Sequence, residues 1–325
     1  MKAILFRKYG PPDVLQPGDV ERPVPKDNEV LIKTYAATVT AGDCEMRSFT
    51  MPMWIWLPVR IWMGLIHPRI QILGQELAGE IEAIGKDAKQ FKVGDQVFAA
   101  CNNFGAYAEY KCMSSDGPLA IKPDNMSYEE AASIPTGGYN ALHFLKKANI
   151  QPGQKVIING AGGSIGVMAV QLAKFFGAEV TGVDSLKKLD TLSAIGADHV
   201  IDYTQIDFTK TGETYDVILD VVGKSSFSRC VKSLNENGCY LLANPRLLSM
   251  LRAVWTSRTS NKNVMFEFAP AKPEALEFLR TLIEEGKIRA VIDGTYPLEE
   301  LAAAHAYVET GRKTGSVVIT IGRKD

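Results

Sequence analysis

The chain has 325 residues, 46% of them hydrophobic and 22% charged, with a formal net charge of −1 and a pI near 6.5. This length predicts two domains of ~100–200 residues each, and the ordinary composition excludes a disordered chain. The charge is balanced and forms no long basic run, so nucleic acid is not an expected partner.

Five cysteines are scattered along the chain without any Cys-x-x-Cys pair: Cys44, Cys101, Cys112, Cys230 and Cys239. Their odd number and spacing predict free thiols in a reducing compartment and argue against a thiolate zinc cluster. The N-terminal apolar stretch is too short for a signal peptide and is typical of a first strand. We therefore expect a cytoplasmic protein.

The first part of the chain, residues 1–118, shows short strand patterns at 30–33, 78–85 and 93–98, punctuated by glycine and proline. This rhythm predicts a small β-rich domain with little helix.

Residues 51–66 are apolar and rich in tryptophan and methionine, but Pro58 and Arg60 interrupt them. The segment is shorter than the ~20 residues needed to cross a bilayer, so no transmembrane span is predicted. Three roles stay open for it: a lid over an apolar pocket for a large flat acceptor, a dimer contact, or docking at a membrane surface.

After Pro135, strand and helix patterns alternate. Strands are predicted at 155–159, 178–183, 199–203, 216–222, 238–243 and 263–268, with helices that include 167–176 and 187–195. Continuous apolar strands joined by helices predict an α/β fold, a doubly wound parallel sheet covered on both faces.

The tail of the chain, residues 294–322, ends in a strong strand pattern at 316–321. No room remains for another crossover, so this strand is predicted to return to the first domain. The expected architecture is a β-rich domain made of residues 1–121 and 287–325, with a dinucleotide-binding domain, residues 122–286, inserted into it.

A glycine-rich turn, Gly160-Ala161-Gly162-Gly163-Ser164-Ile165-Gly166, directly follows a predicted strand and precedes a predicted helix. In that order the glycines let the turn tighten, let the backbone approach a pyrophosphate, and let the helix pack close to the strand. The helix N-terminus offers free amides and the positive end of its dipole. The turn is predicted to bind a nicotinamide dinucleotide; the alternative is a tight turn that binds nothing.

The end of the second strand bears on which nicotinamide cofactor is used. Asp184 lies eighteen positions after Gly166, close to where an acid would accept hydrogen bonds from an unphosphorylated ribose, which favours NAD. Ser185, Lys187 and Lys188 follow, and their hydroxyl and ammonium groups would neutralise a 2′-phosphate unless the lysines lie in solvent. The residues alone leave NAD and NADP open.

Motifs spread over the chain carry a family resemblance: GQELAG at 74–79, FKVGDQV at 91–97, FGAYAEY at 104–110, AVQLAK at 169–174 and GADHVIDY at 196–203. With the glycine turn, they resemble the medium-chain dehydrogenase/reductase superfamily, and within it the zinc-free quinone oxidoreductase group. The resemblance implies a GroES-like catalytic domain with an inserted Rossmann domain. It also implies a homodimer, formed through an edge strand such as 263–268.

Zinc-dependent members of that superfamily hold a catalytic metal at positions that correspond to Thr40, Gln75 and a residue near Thr136. Zinc prefers thiolate, imidazole or carboxylate ligands, so no metal site is expected here. The four histidines are interpreted as structural: His67, His143, His199 and His305. Without a Lewis acid to stabilise an alkoxide, reduction of an activated acceptor is the expected chemistry.

The resemblance makes Thr40 and Asp43 the candidate catalytic residues, with Thr40 placed to contact the nicotinamide ribose or to donate to a carbonyl. Relatives often have tyrosine where Glu45 stands, and asparagine where Thr40 stands. The resemblance implies that Ser185, Lys188 and Tyr203 surround a 2′-phosphate, which favours NADPH. Asp184, in contrast, favours NAD. The predicted cofactor-binding residues are Thr136, Gly160, Gly162, Gly163, Ser164, Ile165, Gly166, Asp184, Ser185, Lys188, Tyr203, Val222 and Asn244.

The leading hypothesis is therefore an NAD(P)H-dependent reductase, with NADPH favoured, that transfers hydride to a quinone or an α,β-unsaturated carbonyl. Such small apolar acceptors need mainly alignment with the nicotinamide and a donor for the developing oxyanion. The alternative is a cofactor-binding adaptor or structural protein with little turnover.

Overall fold

A computed structural model describes residues 1–322, apart from the side chain of Trp54. The chain divides into two compact units, Met1–Thr136 with Ala271–Asp325, and Gly137–Pro270. The first unit is thus assembled from both ends of the chain, and the second is inserted between them.

The strands in chain order are β1 (Lys2–Phe6), β2 (Leu15–Asp19), β3 (Glu29–Val39), β4 (Glu76–Ile84), β5 (Gln96–Ala100), β6 (Tyr110–Ser114), β7 (Leu119–Ile121), β8 (Lys155–Asn159), β9 (Glu179–Asp184), β10 (His199–Asp202), β11 (Tyr215–Asp220), β12 (Leu234–Leu242), β13 (Asn263–Phe266), β14 (Ile292–Pro297) and β15 (Ser316–Thr320). The α-helices are α1 (Ala41–Ser48), α2 (Met53–Met63), α3 (Tyr128–Ala132), α4 (Pro135–Ala148), α5 (Ser164–Phe175), α6 (Leu186–Ala194), α7 (Phe227–Lys232), α8 (Leu247–Thr259), α9 (Pro273–Glu284) and α10 (Leu301–Glu309). Short 3-10 turns lie at Pro12–Val14, Phe208–Lys210 and Leu298–Glu300.

The main sheet of the first unit has the strand order β14-β15-β3-β4-β5-β7, with β6 also paired to β3. The tail strand β15 runs antiparallel to β3, with Val317 opposite Val39, so the predicted return of the chain to the first domain is confirmed. A separate hairpin joins β1 to β2. The core of this unit is filled by fully buried side chains such as Ile32, Leu77 and Ile81.

The sheet of the second unit is parallel throughout, with the strand order β10-β9-β8-β11-β12-β13. α-Helices connect its consecutive strands except β10 and β11, between which a 3-10 turn lies, and its core includes the buried side chains Ile157, Val183, Ile218 and Tyr240. The doubly wound α/β fold predicted from the alternating pattern is confirmed. Strand β13 is an edge strand of this sheet. Only an edge strand has a free side with which a strand of a second chain could pair.

The end of β3 positions the polar residues of the first unit. β3 pairs antiparallel with β4, with Ala37 opposite Leu77, so the start of α1 lies beside the residues that precede β4. Helix α1 closes at Phe49, which takes a left-handed backbone conformation with φ of 59°.

The apolar segment 51–66 contains a helix, α2, in spite of Pro58. The helix ends at Gly64, whose N–H donates to the carbonyl of Arg60 and whose φ of 116° suits glycine. The sequence pattern did not predict this helix, because an interior proline removes a helical hydrogen bond. Among the helices of residues 1–322, none has the length and apolar character needed to cross a bilayer.

Candidate functional site

The glycine turn of the second unit has a geometry that favours glycine at three positions. Gly160 has a φ of +86°, in the left-handed region. A Cβ atom at Gly162 would lie 2.4 Å from Cδ of Lys188, and one at Gly166 would lie 2.3 Å from the carbonyl oxygen of Gly160. The turn is therefore as tight as its sequence predicts, and helix α5 begins directly after it, at Ser164.

Asp184 ends strand β9, and its carboxylate is turned toward the glycine turn. Its Oδ2 accepts the N–H of Gly162 at 2.9 Å, and its Oδ1 accepts the N–H of Ser185 at 2.8 Å. The side chain is only 10% exposed. Asp184 therefore helps to hold the glycine turn in its conformation.

Lys188 lies in the first turns of α6 and pairs with Asp184. Its Nζ lies 3.2 Å from Asp184 Oδ1, and its side chain is 8% exposed. A buried carboxylate is costly unless a cation and hydrogen-bond donors compensate it. Here two backbone amides and one ammonium group do so, and the pair carries no net charge.

Ser185 and Tyr203 complete this group of residues. Ser185 is the N-cap residue of α6, and the Tyr203 N–H donates to the carbonyl oxygen of Asp184 at 3.1 Å. The Tyr203 side chain is exposed. The structure therefore places close together in the chain fold four of the residues on which the choice between NAD and NADP was predicted to depend, Asp184, Ser185, Lys188 and Tyr203.

Val222 and Asn244 lie just beyond the carboxyl ends of β11 and β12. The Val222 N–H donates to Asp220 Oδ1 at 3.2 Å, and Asn244 Nδ2 donates to the Val221 carbonyl oxygen at 3.1 Å. Ligands of parallel α/β sheets bind outside this edge. Both predicted residues thus belong to the edge at which the glycine turn also lies.

Thr40 and Asp43 form a reciprocal cap at the start of α1 in the first unit. Thr40 Oγ1 accepts the Asp43 N–H at 3.1 Å, while Asp43 Oδ2 accepts the Thr40 N–H at 3.0 Å and the Thr40 hydroxyl at 2.7 Å. Such a cap fixes the first turn of the helix. Because the hydroxyl proton of Thr40 is donated to Asp43, Thr40 is not arranged as a donor to a carbonyl.

Asp43 is fully buried, and a third residue also donates to it. The Gly74 N–H reaches its Oδ1 at 3.1 Å. Burial raises the pKa of Asp43 to about 6, against the opposing hydrogen bonds from Thr40 and Gly74. The neighbouring Tyr107 hydroxyl donates to the Thr38 carbonyl oxygen at 3.0 Å, and burial raises its pKa well above the usual value. The start of α1 is thus a dry polar network.

Gln75 is the residue of this network that the sequence reasoning considered only as a lost zinc ligand. Its Nε2 donates to Thr40 Oγ1 at 3.0 Å, and its side chain is half-buried. The Gln75 amide also carries a second N–H and a carbonyl oxygen, which can donate a hydrogen bond to a ligand and accept one from it. Within residues 1–322 no three side chains of His, Cys, Asp or Glu cluster in a way that could hold a metal ion.

Glu76, the next residue, is buried between two threonines. Its carboxylate accepts the Thr38 hydroxyl and the backbone N–H of Thr136, which lies in the first turn of α4. Burial raises the pKa of Glu76 to about 7, against these hydrogen bonds. Thr136 was predicted to bind the cofactor; its backbone amide is committed to Glu76 within the first unit.

The sequence reasoning missed Gln75, Glu76 and Tyr107 as members of a polar network. The signal was present, since all three lie within the GQELAG and FGAYAEY motifs. Their partnership with Thr38 and Thr40 depends on the pairing of β3 with β4, which motif spacing does not give.

Comparisons with known proteins match both parts of the chain. Residues 26–155 match the alcohol dehydrogenase GroES-like domain, and residues 195–319 match the zinc-binding dehydrogenase family. A 2-methylene-furan-3-one reductase from Solanum lycopersicum is 31% identical over 98% of this chain and 79% of its own length.

Solved structures agree with these matches. The quinone oxidoreductase of Coxiella burnetii superposes with a TM-score of 0.88 at 30% identity, covering 99% of both chains. The Escherichia coli quinone oxidoreductase complexed with NADPH superposes with a TM-score of 0.83 at 25% identity, over 99% of this chain and 100% of that one.

A GroES-like sheet joined to a parallel sheet with a glycine turn defines the class of two-domain dehydrogenases and reductases. The chain belongs to the medium-chain dehydrogenase/reductase superfamily, in its quinone-oxidoreductase-like group. The resemblance found in the sequence motifs is confirmed.

Proposed function

We propose that this protein transfers hydride from NADPH to a quinone or an α,β-unsaturated carbonyl, without zinc. The preference for NADPH is proposed from the buried pair of Asp184 and Lys188, with 3.2 Å between Oδ1 and Nζ. The names of its relatives support the acceptor part, since they include a quinone oxidoreductase and a reductase of a conjugated furanone.

The Asp184–Lys188 pair favours a phosphorylated ribose for an electrostatic reason. A free carboxylate beside the adenine ribose would repel a 2′-phosphate and accept hydrogen bonds from an unmodified 2′-hydroxyl. Here both oxygens of Asp184 already accept backbone amides, and Lys188 compensates its charge. The exposed Lys187 next to the pair adds positive charge, and Ser185 adds a hydroxyl.

The rest of the cofactor fits the same unit. The N-terminus of α5 follows a turn whose closely packed glycines leave room for a pyrophosphate against the backbone amides. When bound, the nicotinamide cofactor supplies the hydride. The residues of this unit that are proposed to hold it are those of the turn, the Asp184 group, Val222 and Asn244; Thr136, also predicted to bind the cofactor, lies in the first unit.

In the first unit, Gln75 is proposed as the donor to the oxygen of the acceptor. Its amide is oriented by the bond from Nε2 to Thr40 Oγ1, and Thr40 is in turn fixed by Asp43. Thr40 and Asp43 therefore act as positioning residues in this proposal. An amide N–H held in this way stabilises negative charge that develops on a carbonyl oxygen.

The zinc-independent part of the proposal depends on residue chemistry. Thr40 and Gln75 offer a hydroxyl and an amide at the positions that the family resemblance assigns to two zinc ligands of relatives, and the third position falls near Thr136, which offers a hydroxyl. These groups are poor ligands for zinc compared with thiolate or imidazole. The acceptor must therefore be activated by its own conjugation.

The test is acceptor-dependent oxidation of NADPH and NADH with a panel of quinones, conjugated enals and simple aldehydes, before and after treatment with a strong zinc chelator. We expect turnover with quinones or enals, NADPH preferred, and no effect of the chelator. Tight cofactor binding without turnover of any acceptor would favour an adaptor role, and loss of turnover on chelation would overturn the zinc-independent mechanism.

The proposal includes two further sequence-based expectations. Strand β13 lies at the end of its sheet, where pairing with a second copy would extend the sheet across a two-fold axis. A cytoplasmic location is proposed from the cysteine pattern, five scattered free thiols. Size measurement in solution and fractionation of cells test these expectations.

A further inference from the structure

Helix α8 of the second unit displays an apolar stripe to solvent. The exposed side chains are Leu247 (48% exposed), Leu248 (71%), Leu251 (63%), Val254 (42%) and Trp255 (69%). These positions recur at three and four residues, so they share one face of the helix. Large apolar side chains grouped on one exposed face are unusual in a soluble chain and indicate a surface that binds something.

The opposite face of α8 attaches the helix to its own unit. Ala253 and Thr256 are buried, and Ser257 Oγ accepts the Val264 N–H from β13 at 2.9 Å. The helix is thus anchored on the edge strand through its small residues. Its apolar stripe is therefore not the face that packs against the sheet of its own unit.

The charges within the sequence segment that carries the stripe, between Glu236 and Glu267, are of one sign. Residues 237–266 contain four basic side chains, Arg246, Arg252, Arg258 and Lys262, and neither aspartate nor glutamate. The chain average of 37 acidic residues in 325 would place about three in a segment of 30. The stripe is therefore a combination of apolar and cationic groups, with the arginines inside and beside the apolar face.

A second segment, in the first unit, has the same composition. Residues 46–75 also lack aspartate and glutamate. They include α2 and the exposed side chains Leu57, Ile61, Trp62, Leu65 and Ile66. The arginine of α2 is used differently, since the Arg60 guanidinium lies 3.6 Å from the centre of the Tyr9 ring and fastens the helix to its unit.

We propose that the apolar stripe of α8 docks on the surface of an anionic phospholipid bilayer. Leucine and tryptophan side chains would enter the boundary between headgroups and acyl chains, and the arginines would contact lipid phosphates. The stripe is too short to span a membrane and is shaped to lie on one. This binding is independent of the proposed reductase activity, because no residue of the cofactor group belongs to it.

Charge decides between a bilayer and a second copy of this chain. In a two-fold dimer through α8, the same patch faces itself, so its arginines would face arginines with no acidic partner within the segment. An anionic bilayer offers the opposite charge over an extended apolar surface. The observations therefore favour lipid.

The test is flotation of the full chain with vesicles of phosphatidylcholine alone and of phosphatidylcholine mixed with phosphatidylglycerol. We expect binding to the anionic vesicles and little to the neutral ones, with loss of binding at high salt. The triple variant L248Q/L251Q/W255Q is expected to bind at least about tenfold more weakly, because each of these side chains loses its transfer from water. The variant R252Q/R258Q is expected to lose roughly fivefold per arginine.

Two matched controls keep the test specific. V24Q/V93Q/F175Q replaces exposed apolar residues elsewhere, and K89Q/K92Q removes two exposed charges elsewhere. Both are expected to bind vesicles as the native protein does, and unfolding midpoints check that all variants fold. The proposal is overturned if the native chain ignores anionic vesicles, or if the α8 variants bind as well as the controls. It is also overturned if the α8 triple variant converts a dimer to a monomer, which would assign the stripe to a second copy.

Discussion

The two units bury carboxyl groups in opposite ways. In the second unit, Asp184 is compensated by the ammonium of Lys188 and by the amides of Gly162 and Ser185. In the first unit, Asp43 and Glu76 are held by hydroxyl and amide hydrogens, and burial raises their pKa values to about 6 and about 7.

This difference shows that burial of an acid does not by itself define its function. A carboxylate paired with a cation keeps its charge and becomes a fixed part of the structure. A carboxyl group buried among hydroxyls and amides becomes sensitive to pH in the neutral range. The first arrangement suits recognition of a charged cofactor, and the second ties the rigidity of the α1 region to proton binding.

The largest effect is expected in the glycine turn, which Asp184 supports and which depends on close backbone packing. Gly166→Ala places a Cβ atom 2.3 Å from the carbonyl oxygen of Gly160 and 2.5 Å from that of Ala161. Neither backbone atom can move without opening the turn, so we expect a loss of about 3 kcal/mol or more in the free energy of unfolding, and loss of cofactor binding. Denaturant titration and NADPH fluorescence measure the two effects.

Gly163→Ala, in the same turn, is the matched control for folding. Its Cβ atom would meet the Gly160 carbonyl oxygen at 3.7 Å, an ordinary contact. Its unfolding free energy is expected to change by less than about 1 kcal/mol. Equal destabilisation by the two alanines would show that the tight packing at Gly166 is not what holds the turn.

The second effect isolates the buried ion pair. Lys188→Gln leaves Asp184 buried without its cation, and a loss of about 3 kcal/mol is expected. The double variant D184N/K188Q removes both charges and should lose less than the sum of the two single variants, because neither charge is then buried alone; full recovery is not expected, since an asparagine amide has one oxygen for the two backbone N–H groups of Gly162 and Ser185. Unfolding titrations of the two single variants and the double variant give the coupling.

Lys187→Gln is the control for this pair, since Lys187 is exposed and adjacent to it. It is expected to change stability by less than about 0.5 kcal/mol. Additive losses in D184N/K188Q would show that Asp184 and Lys188 contribute separately, and the contrast between the two units would fail.

The smallest effect tests the pH sensitivity of the first unit. Because the pKa of Glu76 is raised from 4.5 to about 7 in the folded chain, the folded state keeps a proton that the unfolded state has released. Stability from this group is thus complete below about pH 4.5 and lost as the pH rises through about 7. Glu76→Gln cannot titrate, so the fall in unfolding free energy over this range should be smaller by on the order of 2 kcal/mol.

Glu80→Gln, on the same strand β4, should keep the pH dependence of the native chain. The measurement is denaturant unfolding at several pH values between about 5 and 8. If the unfolding free energy of Glu76→Gln varied with pH as that of Glu80→Gln does, Glu76 would not be the group that makes stability depend on pH.

The parts of the fold that follow local rules could be predicted from the sequence. Strand β8 and the turn after it were predicted because a continuous apolar run, closely spaced glycines and an amphipathic helix follow one another in the order of a dinucleotide-binding turn. The return of the tail as β15 was predicted because its strand pattern leaves no space for a crossover.

Other features depend on contacts that sequence spacing does not encode. The inward turn of Asp184 results from the position of the Gly162 amide, and the reach of Lys188 results from the start of α6 at Leu186. Helix α2 forms around Pro58 because packing, including Arg60 on Tyr9, outweighs the proline. The network of Gln75, Glu76 and Thr40 is brought together by the pairing of β3 with β4.

The central claim, that the Asp184–Lys188 pair makes this an NADPH-dependent protein, is tested most directly by the dissociation constants of NADPH and NADH for the native chain. Fluorescence titration needs no knowledge of the acceptor. We predict that NADPH binds at least about tenfold more tightly than NADH, since a 2′-phosphate gains charge-assisted hydrogen bonds at this position. Equal affinities, or tighter binding of NADH, would contradict the account.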